Sequence, residues 1–122
     1  MKELSKEYLI TRGKYNMLDV LEIGTLKYVK TLDTKGCGVF SSISHLETQR
    51  AYTGCYEGNI FTIDLENLSI LKDGGTSKLK QGIYDMVILP NSDRILVCAQ
   101  HFGYLEFVST ENDKLTVLEG GV

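Results

Sequence analysis

Glycines at positions 13, 58 and 103 stand 45 residues apart, and their surroundings recur with them. After each comes an apolar residue two positions on (Tyr15, Ile60, Leu105) and another five positions on (Leu18, Ile63, Val108). Asp19 and Asp64 take the sixth position, where the third copy has Ser109, and Glu66-Asn67 returns as Glu111-Asn112. Gly38 returns as Gly82 after 44 residues, and Gly74-Gly75 as Gly120-Gly121 after 46. A period that drifts by one residue marks copies of a single unit joined by slightly different loops. Such units stack, because none can bury both of its faces alone.

Each unit divides into short strands. Val39 to Ser44 and Ile83 to Leu89 start just after a glycine and are rich in β-branched and aromatic residues. Polar turns follow at 47–50 and 90–94, then Ala51-Tyr52-Thr53 and Ile95 to Cys98, the loop into the repeated glycine, and Ile60 to Leu65 and Leu105 to Val108. A last strand lies near Ser69-Ile70-Leu71 and Leu115 to Leu118. Four short antiparallel strands per repeat, without a convincing helical period, predict propeller blades. The first 35 residues fit the same unit entered part-way, with strands near Lys6 to Ile10, Tyr15 to Val20 and Lys27 to Leu32. The expected fold is all-β: a partial β-propeller of about three four-stranded blades with a 44–46-residue period. Its blades span 1–35, 36–80 and 81–122, and the first lacks its inner strand. The competing architecture is one β-sandwich or barrel carrying a coincidental repeat.

The stretch Gly58-Asn59-Ile60-Phe61-Thr62-Ile63-Asp64-Leu65-Glu66-Asn67 resembles a WD-repeat β-propeller, a family that places a Gly, an alternating apolar strand and a Trp-Asp pair here. Residues 13–21 and 103–111 match the same template, with Leu18, Ile63 and Val108 in place of the Trp. No Gly-His dipeptide precedes a first strand, so the family's buried Asp-His-Ser-Trp network is not encoded. The resemblance implies a non-enzymatic scaffold for protein–protein interaction, belonging to a larger propeller or complex. It also implies that the loops joining second and third strands lie on a partner-binding face.

Composition removes other functions. Thirteen basic against sixteen acidic residues leave a net charge of −3, which gives no electrostatic reason to expect nucleic acid or an acidic membrane. The longest apolar run, Met86 to Leu89, is four residues, too short to span a bilayer as a helix. Three cysteines without a close pair suit a reducing, cytoplasmic compartment, and Cys37, Cys55 and Cys98 read as small packing residues. His45 and His101 lack metal-ligand spacing, and no P-loop, dinucleotide or nucleophile-elbow motif occurs. Asp64 and Glu66 read as a solvated turn, and Gly36, Gly38, Gly74 and Gly75 as turn glycines between blades. No cofactor, metal or catalytic residue is expected.

The second-to-third-strand loops supply the candidate partner-binding residues: Arg12, Tyr56, Glu57, His101 and Phe102. Aromatic and amphipathic groups on loops are what interface hot spots favour. The other class of function open to these residues is a small-ligand or carbohydrate-binding propeller. Fewer than four blades leave faces and an edge uncovered, so partners include further blades or a second copy completing the ring.

Overall fold

A computed structural model of the chain describes residues 7–13, 17–35, 37–72, 75–89 and 94–118, with the side chains of residues 40, 46, 76 and 102 outside the description. The expected glycines at 36, 74, 120 and 121 and most of the turn at 90–94 lie outside the described residues. Three antiparallel sheets follow one another along the chain. The first contains β1 (Tyr8–Arg12), β2 (Leu18–Glu22) and β3 (Tyr28–Leu32). The second runs β4 (Val39–His45), β5 (Arg50–Cys55), β6 (Asn59–Asp64) and β7 (Ser69–Ile70), with β8 (Thr76–Lys78) also on β6. The third is β9 (Ile83–Ile88), β10 (Ile95–Gln100), β11 (Leu105–Ser109) and β12 (Thr116–Leu118). In the second and third sheets the chain starts at the innermost strand, and β4 and β9 lie side by side. The first sheet begins one strand later, at β1.

Burial shows how the sheets stack. β10 alternates between half-buried and buried residues, the pattern of a strand covered on one face. β5 is buried at five consecutive positions from Ala51 to Cys55, so the second sheet is covered on both faces. One core joins Leu18, Val20 and Leu32 of the first sheet to Ala51, Cys55, Ile63 and Leu65 of the second. The other joins Tyr52 and Ile60 of the second to Ile83, Met86, Leu96, Cys98 and Val108 of the third. Ile63 and Val108 are fully buried between sheets, as apolar substitutes for an inter-blade Trp should be.

The first sheet departs from the expected repeat in one respect. Arg12 pairs with Leu18 across its hairpin, and the matching pair in the second sheet is Gly54 with Ile60, 42 residues on. Leu18 therefore corresponds in space to Ile60 and not to Ile63. It is buried all the same, against the second sheet.

The outer strand of the second sheet also differs. Gly75 is no turn between blades: its carbonyl accepts the Thr62 N–H at 2.7 Å, while Leu71 N–H bonds the Thr62 carbonyl at 2.9 Å. β8 then continues the pairing with β6 from Thr76 to Lys78. A Cβ at Gly75 would lie 2.5 Å from that of Leu71, which is why glycine stands there.

Candidate functional site

The loops joining second and third strands, and the crossings from one sheet to the next, lie at one end of the stack. Two equivalent hydrogen bonds tie them together: Tyr56 N–H to the Gly38 carbonyl at 2.8 Å, and His101 N–H to the Gly82 carbonyl at 3.1 Å. The third sheet holds the crossing at 79–82 with two side chains. Gln100 Oε1 accepts the Gln81 N–H at 2.8 Å and Glu106 Oε1 accepts the Lys80 N–H at 3.1 Å. Both side chains are buried, so this loop is clamped from beneath.

Beside the clamped crossing three rings meet, those of Tyr56 and His101 on their loops and of Tyr84 on β9. The His101 imidazole lies 5.6 Å from the Tyr56 ring at 44° and 5.5 Å from the Tyr84 ring at 43°. These are tilted contacts within the favoured range for aromatic pairs. His101 is half-buried between them, whereas Tyr56 is 58% and Tyr84 43% exposed. Close approach depends on Gly82: a Cβ there would collide with the Tyr56 carbonyl oxygen and come within 2.7 Å of the His101 ring. Gly82→Ala should therefore separate Tyr56 from His101, measured as loss of the ring-current shifts between them in proton NMR spectra.

Of the sequence candidates, Tyr56 and His101 converge and Glu57 stands exposed beside them. Phe102 lies outside the described side chains. Arg12 lies elsewhere, at the junction of the first and second sheets, where its Nη1 donates to the Val39 carbonyl at 3.4 Å. It borders a groove of about 360 Å³ formed with Ile10, Leu18, Val39, Ser41 and Ser42. Tyr84 was not among the candidates. It follows Gly82 by two residues inside an apolar stretch, and only the fold brings it to His101.

The opposite end of the stack carries a polar cleft of about 520 Å³ lined by Glu47, Thr48, Arg50, Arg94, Glu111, Asn112 and Asp113. Its centre is a forked pair between sheets: Arg50 Nε and Nη2 donate to the two Asp113 carboxylate oxygens at 2.9 and 3.0 Å. Arg50 Nη1 also donates to Asp64 Oδ1 at 3.1 Å and to the Gln49 carbonyl at 3.0 Å. Asp64 is buried, in contrast to the solvated position expected from the sequence, because it accepts the N–H groups of Glu66 and Asn67 and the Asn67 amide. Only Glu66 of that pair faces solvent.

The hydrogen bonds from Arg50 hold Asp113 below the usual carboxylate range. Burial pushes Asp64 up, but the hydrogen bonds of Asn67 and Glu66 and the Arg50 charge outweigh it and leave Asp64 lowered too. A lowered native pKa stabilises above the unfolded value of about 4, and the contribution is lost as pH falls through the native value. Asp113→Asn should therefore lower Tm at neutral pH and flatten its dependence on pH below about 4. Thermal melts across an acid pH series measure both effects.

The remaining chemistry-bearing groups are in packing roles. Cys37 lies beside Cys55 in the first core, a proximity that sequence spacing did not reveal. Both are free thiols, and burial together with its hydrogen bond to Cys37 pushes the Cys55 thiol up. Burial pushes Cys98 up to about 12. Neither thiol is activated as a nucleophile. His45 is half-buried and bonds Thr48 Oγ1 through Nδ1 at 2.8 Å. Among the described residues no group of three His, Cys, Asp or Glu is placed to hold a metal ion, and no helix is long and apolar enough to cross a membrane.

No protein-family model matches the chain, and no curated protein matches it in sequence. Solved structures do match in fold. The β-propeller domain of Myceliophteria thermophila Cps50 (Swd1) superposes with a TM-score of 0.74 at 10% identity, over 91% of this chain and 35% of that one. The computationally designed protein Ika8 superposes with a TM-score of 0.71 at 16% identity, over 97% of this chain and 35% of that one. The chain thus spans about a third of the length of each. With three antiparallel sheets stacked face to face and the inner strands β4 and β9 adjacent, the architecture is that of consecutive β-propeller blades.

Proposed function

We propose that the chain is a non-enzymatic scaffold of the WD-repeat-like type, cytoplasmic and part of a larger propeller, which binds a protein partner through its loop end. The observation that carries this reading is the Tyr56–His101–Tyr84 cluster. It spans the junction of two blades beside a crossing held by buried side chains, yet presents two tyrosines to solvent. Preorganised aromatic rings with few torsions contribute contact area at low entropic cost, which makes them suited to the centre of an interface. The likeness to a propeller domain supports the scaffold. The polar cleft around Arg50 is a poorer docking site, because its arginine is already engaged by two carboxylates.

A photo-crosslinking residue placed in turn at Tyr56, Tyr84 and Lys114 tests the reading in cells. Lys114 is exposed at the opposite end and serves as the control. The expected result is one discrete adduct of the same mass from positions 56 and 84 and none from 114. Equal labelling from all three, or none from any, would falsify the loop-end reading.

A further inference from the structure

The two end sheets each leave outward the face that the middle sheet has covered. On the third sheet a row of apolar side chains, Val87, Val97, Phe107 and Leu118, runs across all four strands in direct pairing. The corresponding row of the second sheet is Ile43, Tyr52 and Thr62, and the third sheet packs on it. Leu105 is 36% exposed, while Ile60, 45 residues earlier, is fully buried by the third sheet.

The first sheet shows the converse. Leu9 pairs with Leu21 and Leu21 with Tyr28, as Ala51 pairs with Ile63 and Ile63 with Ile70, 42 residues later. Leu9 is 42% exposed where Ala51 is 2% exposed beneath the first sheet. The third sheet thus offers the leading half of the sheet-to-sheet contact and the first sheet the trailing half.

A turn residue repeats the pattern. Leu26, Leu68 and Asp113 all have left-handed backbone, φ 55°, 51° and 58°, at corresponding turns 42 and 45 residues apart. Each of the last two reaches back to the preceding sheet at the start of its second strand. Asp113 pairs with Arg50, and Leu68 shares a core with Tyr8, which stands 42 residues before Arg50. Leu26 is 65% exposed, and no sheet precedes its own among the described residues. The residue it would reach, 45 beyond Arg50, is Ile95, an apolar match for an apolar side chain.

We infer that the chain associates head-to-tail with a second copy of itself, the first sheet of one seating on the third sheet of the other. Leu9, Leu21 and Tyr28 then cover Val97 and Phe107, and Leu26 covers Ile95. The contact continues the two stackings already present within the chain. The row at the centre of each outward face, Leu9–Leu21–Tyr28 on one and Val87–Val97–Phe107–Leu118 on the other, carries no charge, and Asp19 and Asp85 stand in the neighbouring rows, where Asp19 already accepts the Thr31 hydroxyl at 2.8 Å. A head-to-tail contact ends only by closing into a ring, as three consecutive blades spanning 35% of a whole propeller chain would allow.

Sedimentation velocity at micromolar concentration tests this with two single-face variants, Leu9→Glu and Val87→Glu. The wild-type chain should sediment as a discrete closed assembly. Each variant alone should sediment at 13.7 kDa, and an equal mixture should give a dimer of twice that mass and nothing larger. The mixture stops there because each variant retains one intact face. A wild-type monomer, or either variant assembling alone, overturns the inference; the second result would mean that like faces meet. If a variant loses its β-sheet dichroism, Tyr28→Glu and Leu105→Glu put the same two faces to the same test. The outcome is independent of the loop-end reading, since Tyr56 and Tyr84 lie outside both faces.

Discussion

Ile63→Ala is expected to lower the unfolding free energy by about 2–5 kcal/mol, the range for truncating a fully buried aliphatic side chain in a core that relaxes only partly. Ile63 has no exposed surface and lies on β6 among Leu18, Val20 and Leu32 of the first sheet and Ala51 and Leu65 of its own. The cavity opens in the apolar core that joins the two sheets among the described residues, so the first sheet should loosen before the rest. Chemical denaturation with a global probe should show a lower midpoint. Amide exchange should quicken first in β1 to β3. Val87→Ala is the control: Val87 is half-exposed on an outward face, and the change should stay within about 0.5 kcal/mol in the monomer. Equal effects of the two substitutions would contradict the stacking described above.

The same residue marks where sequence reading succeeds. In the second and third sheets the 45-residue spacing carries over into pairing without change: Thr53 faces Phe61 and Cys98 faces Glu106. Glycine, strand and polar turn recur there at fixed offsets, so periodicity alone locates eight of the strands. The first sheet is harder, because Gly13 matches Gly58 by residue type but not by conformation. Gly58 has φ 99°, whereas Gly13 is not left-handed. Gly13 instead takes the place of Cys55, its N–H bonding the Met17 carbonyl at 2.7 Å, so the strand register moves by three.

Contacts distant in sequence were illegible for a different reason. Arg50 and Asp113 are 63 positions apart, and nothing in either local stretch shows that one sheet will stack to bring them together. Tyr84 was hidden because a strand residue pointing into a site looks the same, in one dimension, as one pointing into solvent. The loop candidates Tyr56 and His101 were legible because the repeat places them at one position of successive units.

Gly58→Ala should be among the most damaging single-methyl additions, and Gly103→Ala a mild one, although the two glycines are repeat equivalents. Both have left-handed backbone, φ 99° and 79°, so each substitution incurs conformational strain of about 1–3 kcal/mol. Around Gly103 nothing lies within 4 Å of the added methyl. Around Gly58 the methyl would come 2.6 Å from the Leu79 carbonyl oxygen and 2.9 Å from that of Gln81, both backbone atoms. Those oxygens cannot swing away as a side chain could. Leu79 N–H bonds the Gly58 carbonyl at 2.8 Å, and Lys80 and Gln81 are clamped by Glu106 and Gln100. Overpacking against fixed backbone adds roughly 1–3 kcal/mol to the strain. The crossing carries the chain from the second sheet to the third, and its displacement should also loosen His101 from Gly82. Thermal unfolding of the two variants side by side measures the difference: Gly58→Ala should fall well below Gly103→Ala in Tm, and the reverse order would mean that the crossing does not lie against the second-to-third-strand loop.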